Sequence, residues 1–489
     1  MEVIKSFREY VEKLDAMGDI AEINKEVDWN LEMSAICRHA YDLPAKAPLF
    51  TNVKDCDKTY RVLGCPVGLS PDKEHPYARI ALSCGFPADT KVPEIVEQWS
   101  KLPDVELKKP VVVADGPCKQ NKLFGKDIDL TKMPIPFIHE GDGGRYINTY
   151  GIFVAQTPDG EWVNWAISRA MLDGPQSIAS VVIPTQDLGK IYKQWQEKGE
   201  DMPLALCLGV DPAVAMIAGY PLPSGINECD VMGGWYGEGV EVVKCETIDL
   251  YVPASTEIVI EGTVSIDKRI QEGPMGEYGG YVWHGRPKTA PLFSVSAMTF
   301  RDDPIIPICV AGVPTEENHT NWGISIAASI QNIIQKQFPE IKKCCIPFES
   351  AAHWFVVSVD RNRTTEDDDA LAKAIGEAVF KTKGGSYIPK VYVVDDDIDV
   401  SNIEQLVWAI ATRHHPDKRT YLENQYIFPL VAYLSQEEKA AAVSSRVIYN
   451  CLTPFHAWED GLKPVEASFR GYTEDMQEKV LKNWESYGF

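Results

Sequence analysis

The stretch YGIFVAQTPDGEWVNWAISR, residues 150–169, decides how this chain is read. Two runs rich in apolar and β-branched residues, 150–156 and 162–169, stand on either side of a Pro-Asp-Gly punctuation. Similar runs follow at 180–183, 248–252, 257–266, 292–300 and 305–310, each bounded by Gly, Pro, Asn or Asp. Short strands separated in this way predict an antiparallel barrel or sandwich over residues 121–325, interrupted by helices at 188–198 and 212–219.

The flanks have a different character. Residues 1–120 alternate helix and strand. An amphipathic first helix carries Ile4, Phe7, Val11 and Leu14 on one face, a strand follows near 21–23, a helix near 31–38 and a strand near 48–53. Residues 326–450 alternate again, with helices at 324–337 and 367–380 and strands at 353–359 and 391–394, the mark of an α/β layer. The tail, 451–489, ends in a helix with Met476, Val480, Leu481 and Trp484 on one stripe. Such a stripe is expected to pack on its own body or on another subunit.

Composition narrows the function. The chain has 489 residues, 45% hydrophobic and 24% charged, with 48 basic against 71 acidic side chains and a net charge of −23. An acidic surface of this size repels phosphate backbones and anionic lipids, so neither nucleic acid nor membrane is expected as a partner. No apolar run reaches the length of a membrane span, and no signal peptide is read at the start. Twelve scattered cysteines without a C-x-x-C pair point to reduced thiols and a cytoplasmic protein. P-loop, H-E-x-x-H, G-x-S-x-G and G-x-G-x-x-G signatures are absent.

Any site must therefore be assembled from spaced polar residues. In VNWAISRAM, residues 163–171, Asn164 and Arg169 are five apart and point to opposite faces of a regular strand. They converge only if the strand bends or bulges; taken alone the segment reads as a strand with a surface Arg and an edge Asn. In EGPMGEYGGY, residues 272–281, Glu272 and Glu277 bracket a Gly/Pro-rich loop. Two carboxylates about one guanidinium suit proton transfer, one holding the cation and the other pushed toward neutrality. Glu228, Asn164 and Asp187 offer oxygen donors of the kind a hard divalent cation takes, but donors this far apart in sequence do not by themselves make a site. EGDGGRYINTYG, residues 140–151, is a Gly-rich turn with backbone N–H groups for a phosphate. EENHTNWG, residues 316–323, reads first as a helix-capping cluster and second as a pocket rim containing Asn318 and Thr320.

Taken in order, N-W-x-x-x-R (164–169), I-P-x-Q (183–186), the Glu228 turn and E-G-P-x-G-E (272–277) resemble the UbiD-like decarboxylase family, and the resemblance runs over nearly the whole chain. It implies an α/β plus β fold: an N-terminal α/β domain (1–120), a split β-barrel flavin-binding domain (121–325), a C-terminal α/β oligomerisation domain (326–450) and a terminal tail with a helix (451–489). It implies a carboxy-lyase that uses prenylated FMN to decarboxylate (hetero)aromatic or α,β-unsaturated acids reversibly, releasing CO2, as a homodimer or homohexamer supplied by a flavin prenyltransferase. The cofactor phosphate is expected to be held through Mn2+ or another divalent cation and K+. Asn164, Asp187 and Glu228 map onto the metal ligands, Asp187 standing where many relatives have His. Asn164 through Trp165, Ala166, Ile167 and Ser168 to Arg169, with Gln186, Asp187, Glu228 and Lys383, map onto the cofactor site. Arg169, Glu272 and Glu277 map onto the catalytic set, Arg169 binding the substrate carboxylate and Glu277 returning the proton. Asn318 favours small heteroaromatic acids such as pyrrole-2-carboxylate; phenolic acids and aryl-CoA thioesters stay open, as does a flavin-binding protein without catalysis.

Overall fold

The computed structural model describes residues 3–282, 285–363, 367–453 and 466–489. Met1 and Glu2 of the expected first helix, and 454–465 of the expected tail, lie outside the described residues. The first helix, Phe7–Ala16, starts where the Ser6 side chain accepts the Glu9 N–H, a cap that satisfies one orphan donor. It buries Phe7, Tyr10, Val11 and Leu14 against Ala47, Leu49, Leu63 and Ile305. Those partners sit on a four-stranded sheet ordered Ile20–Ile23, Ala47–Phe50, Arg61–Gly64 and Ile305–Ile308. Its last strand comes from far along the chain and pairs in parallel with Arg61–Gly64. In return, Val111–Val113 leaves the N-terminal part to pair with Glu241–Lys244.

The large sheet has nine strands, every pairing antiparallel. Its path runs Tyr146–Asn148, Ala170–Gly174, Ser177–Ser180, Lys288–Phe300, Ile258–Glu272, Met202–Leu208, Gly151–Gln156 and Val163–Ala166, with Asn121–Phe124 paired to Lys288–Phe300. The expected strand 162–169 is thus cut in two, ending at Ala166 and resuming at Ala170 on a different neighbour. Along the path these two strands are six steps apart, roughly 29 Å at about 4.8 Å a step. The backbone from Ala166 to Ala170 reaches at most about 14 Å. The sheet must therefore curl until its ends face each other across this short link, although the hydrogen-bonded path does not close.

The C-terminal sheet is mixed. Trp354–Val359, Lys390–Asp395 and Val443–Cys451 run parallel, flanked by antiparallel Ile341–Cys345 and Arg419–Tyr426. The helix Asp368–Lys381 is capped by Asp367 and covers it with Leu371, Ile375 and Val379. The terminal helix Glu474–Lys482 keeps its apolar stripe off the body: Leu481 is 63% exposed and Trp484 48%. No helix of the described residues is long and apolar enough to cross a membrane.

Candidate active site

The link between Ala166 and Ala170 carries Ile167, Ser168 and Arg169, and the surrounding structure fixes it. Asn148 donates its amide to the Ser168 carbonyl (2.7 Å), and the Ser168 hydroxyl donates to the Val181 carbonyl (2.5 Å). Arg169 then projects onto the end of the strand Ile258–Glu272. Its Nε donates to Glu272 Oε1 (2.9 Å) and its Nη2 to Glu272 Oε2 (3.1 Å), a planar two-point pairing that fits guanidinium to carboxylate. Its Nη1 donates to Glu277. The structure thus brings Arg169, Glu272 and Glu277 together.

The two acids differ in their surroundings. Glu272 is 3% exposed and also accepts the Tyr146 hydroxyl (2.9 Å). Glu277 lies on the loop beyond the strand, where burial drives its carboxyl above the usual range against the opposing pull of Arg169, with Glu272 adding to the rise. Burial disfavours the Arg169 charge, but Glu277 and Glu272 outweigh it and hold the guanidinium more firmly protonated than usual. The loop is locked in place by the Gly-rich turn 140–151. Gly143 N–H donates to the Pro274 carbonyl (2.7 Å), and Asp142 accepts the Gly276 N–H (2.9 Å). A Cβ at Gly143 would lie 2.1 Å from the Gly273 carbonyl oxygen, so only glycine permits this approach. The turn read as a phosphate loop spends Gly143 N–H on the acid-bearing loop instead.

Asn164 and Arg169 do not converge on one point. Val163–Ala166 is an edge strand, and its outward N–H groups at 163 and 165 need acceptors. Asn227 Oδ1 takes Val163 N–H (2.9 Å) and Glu228 Oε2 takes Trp165 N–H (2.9 Å), which seats the helix Glu228–Tyr236 on the edge. Asn164 Nδ2 donates to Glu228 Oε1 (3.0 Å), while Asn164 Oδ1 is buried with no partner among the described residues. Burial, aided by the negative charge of Asp187, pushes the Glu228 carboxyl up to about 8. An orphaned amide oxygen beside a carboxylate costly to ionise fits a hard cation bound through oxygen.

Asp187 opens the helix Asp187–Lys198 and is held by cations instead of imidazole neighbours. It accepts from Lys383 Nζ (2.5 Å), Lys190 Nζ (2.9 Å) and the Ser224 hydroxyl (2.7 Å). Burial works to raise its pKa, but these partners hold it below the usual carboxylate range. Gln186 hydrogen-bonds Tyr387. Trp165 is buried, Ala166 half-buried and Ile167 exposed.

The segment 316–323 departs from the expected cap. Residues Asn318–Trp322 form a π-helical turn running into the helix Gly323–Gln335. Thr320 is fully buried and donates to the Val67 carbonyl (2.8 Å), so it neither caps the helix nor lines a pocket surface. The Asn318 N–H is instead accepted by Glu316 (2.8 Å). Burial pushes both Glu316 and Glu317 up to about 7. The sequence does not single out Tyr146, Asn148, Glu316 or Lys190; the first three lie inside the quoted motifs 140–151 and 316–323, yet nothing in their spacing says which groups they reach.

Three family models match the chain in succession between residues 11 and 451. They are the N-terminal domain (residues 11–99), Rift-related domain (109–314) and C-terminal domain (319–451) of 3-octaprenyl-4-hydroxybenzoate carboxy-lyase, UbiD. The chain is 42% identical to a pyrrole-2-carboxylic acid decarboxylase of Pseudomonas aeruginosa, covering 99% of this chain and 98% of the other. It is 35% identical to ferulic acid decarboxylase 1 of Saccharomyces cerevisiae, with coverage of 99% and 98%. Among solved structures, the UbiD-class enzyme HmfF of Pelotomaculum thermopropionicum in complex with FMN superposes with a TM-score of 0.81 at 26% identity, over 94% of this chain and 97% of that one. An evolved dimeric form of the same enzyme, in complex with prFMN, superposes at 0.78. Matched by three domains in order and by relatives of this likeness, the chain belongs to the UbiD family of carboxy-lyases.

Proposed function

We propose that this protein decarboxylates a small (hetero)aromatic acid, of which pyrrole-2-carboxylate is the first to test, using prenylated FMN. The observation that carries the reading is the Glu272–Arg169–Glu277 array, in which one acid is fixed to the guanidinium at two points and the other is buried and biased toward its protonated form. In this reading the curled, unclosed sheet is the split β-barrel flavin domain, 121–325. It lies between an α/β domain, 1–120, and an oligomerisation domain, 326–450, with the tail 451–489, of a homodimer or homohexamer. Asn164, Asp187 and Glu228 would hold Mn2+ or another divalent cation, which with K+ would bind the cofactor phosphate. Lys383, Gln186 and the segment from Trp165 through Ala166, Ile167 and Ser168 line the cofactor. A flavin prenyltransferase supplies the modified flavin.

When bound, the prenylated flavin supplies the electron sink for the carbon that loses CO2. The protein's own part follows from the geometry. Glu272 occupies the Nε edge of Arg169, so the outer edge of the guanidinium is left for Glu277 or for the substrate carboxylate. An arriving carboxylate competes with Glu277 for that edge. A further carboxylate on a cation already paired with Glu272 pushes Glu277 to take up a proton from solvent, the proton the reaction needs. CO2 departs without the electron pair of the broken C–C bond, and that pair forms the new C–H bond. Glu277 gives its proton to the ring carbon and returns as a carboxylate to Arg169.

The test is CO2 release from pyrrole-2-carboxylate by protein produced with and without a flavin prenyltransferase. Turnover is expected only with it, and full turnover with plain FMN or with no flavin would overturn the reading.

A further inference from the structure

Behind the loop that carries Glu277 lies a buried polar cluster which the mechanism does not use. Glu316 is 0% exposed, and its Oε2 accepts three donors: the Asn318 backbone N–H (2.8 Å), the Asn318 side-chain amide (2.9 Å) and the Cys309 thiol (2.9 Å). Its own backbone N–H donates to His319 Nδ1 (3.1 Å). That leaves His319 Nε2–H to donate to the Tyr278 carbonyl (2.8 Å), next to Glu277 in the chain. Burial holds His319 neutral by lowering its pKa to about 4. One end of the cluster therefore grips the catalytic loop and the other grips Asn318.

The grip on Asn318 is one-sided. Its Nδ2 faces both Glu316 oxygens, at 2.9 and 3.2 Å, and the Cys309 sulfur at 3.7 Å. Its Oδ1 has no hydrogen-bond partner among the described residues, and the residue is only partly buried. Turning the amide over would set Oδ1 against Glu316 Oε2, an oxygen already filled by an N–H and an S–H donor, so acceptor would face acceptor. With Glu316 ionised, both of its oxygens are acceptors and the amide has one orientation.

We propose that Glu316 is a positioning residue for substrate choice: it fixes the Asn318 amide with the carbonyl outward, so that the site selects aromatic acids bearing a ring N–H or phenolic O–H over isosteric rings that offer only an acceptor. The inference rests on the reading above that Asn318 lines the substrate pocket of a heteroaromatic-acid decarboxylase. An unpaired acceptor in the site penalises a ring that cannot donate to it.

The experiment uses wild-type holoenzyme and two probes of nearly equal shape, pyrrole-2-carboxylate and furan-2-carboxylate. Each is scored by CO2 release and, independently, by Kd from quenching of tryptophan fluorescence. The N–H acid should be favoured about 10–100-fold, in Kd and KM more than in kcat, because the bond is made in the ground state. Glu316→Gln should bring the preference to within about 3-fold by letting the Asn318 amide turn. In an Asn318→Leu background the same change should leave the preference where it is. Should Glu316→Gln fail to fold, Glu316→Asp withdraws the carboxylate by one methylene and should give the same loss. A wild-type Kd ratio near one, or a ratio unchanged in the Glu316 variants, overturns the proposal. Binding with the expected ratio but without CO2 release supports it and sinks the decarboxylase reading instead.

Discussion

Tyr146→Phe isolates a single hydrogen bond in the Glu272–Arg169–Glu277 array. The hydroxyl donates to Glu272 Oε1 at 2.9 Å, the same oxygen that Arg169 Nε reaches at 2.9 Å. The ring is 1% exposed, so no water replaces the lost donor, and the phenyl ring fills the same space. A hydrogen bond to a charged acceptor contributes about 1.5–3 kcal/mol. Glu272 keeps both of its Arg169 contacts, so the lower end, about 1.5 kcal/mol, applies. If that energy serves to hold Arg169 for the substrate carboxylate, kcat/KM should fall about 10-fold. The assay is CO2 release under reconstituted conditions, with melting temperature and flavin content measured on the same samples. Flavin content should not change, because Tyr146 touches none of the Asn164, Glu228 or Asp187 group. Unchanged kcat/KM together with an unchanged melting temperature would refute the reasoning. A loss above about 10³-fold would place the hydroxyl in the chemistry itself.

Glu277→Gln should lower turnover by about 10²–10⁴-fold with flavin retained, and it should flatten the alkaline limb of the kcat/KM profile. That limb falls as pH rises through the raised pKa of Glu277, so a variant with the wild-type limb would exclude Glu277 as the titrating acid. Asp187→Ala should weaken Mn2+ and flavin retention together, read by metal analysis and absorbance after dialysis, whereas Asp187→His should keep both; equal retention in Asp187→Ala would move the third ligand elsewhere. Asp211 offers a test of stability. Burial pushes its carboxyl from 3.8 up to about 7 while it caps the helix Pro212–Ala218. A raised folded pKa means that stability is fully present below about pH 4 and is lost as pH rises toward 7, by on the order of 4 kcal/mol. Asp211→Asn should remove that slope in a chemical-denaturation series, and a variant with the wild-type slope would locate the proton on another group.

Two acids in a Gly/Pro frame are unusual enough to single out Glu272 and Glu277, whereas Asn164 and Arg169 taken alone read as a strand's edge Asn and surface Arg, and only the resemblance marked them. Periodicity also located most helices and strands, since a buried face imposes it. It could not name each strand's neighbour. The run 162–169 looked continuous because its alternation does not register that the chain leaves one end of the sheet at Ala166 and rejoins the other at Ala170. Ile305–Ile308 reads like any other strand of the middle region, yet it belongs to the N-terminal sheet. Buried acids were the other blind spot. Glu316 beside a helix start has the outward form of a cap, and only packing reveals that its carboxylate is enclosed and shared between Asn318 and Cys309.

The three-residue link from Ile167 to Arg169 acts as a ruler. Asn164 is anchored to Glu228 on one side and Arg169 to Glu272 on the other, and the interval between them is covalent backbone pinned at Ser168 by Asn148 and Val181. Side chains elsewhere can drift over evolution without altering that interval, but one inserted residue would lengthen it by about 3.4 Å and reverse the facing of everything beyond it. Length variation within the family should therefore collect in surface turns and spare residues 164–169, and a one-residue insertion there should abolish activity and lower the melting temperature, because Ala170 and Met171 would turn out of the core.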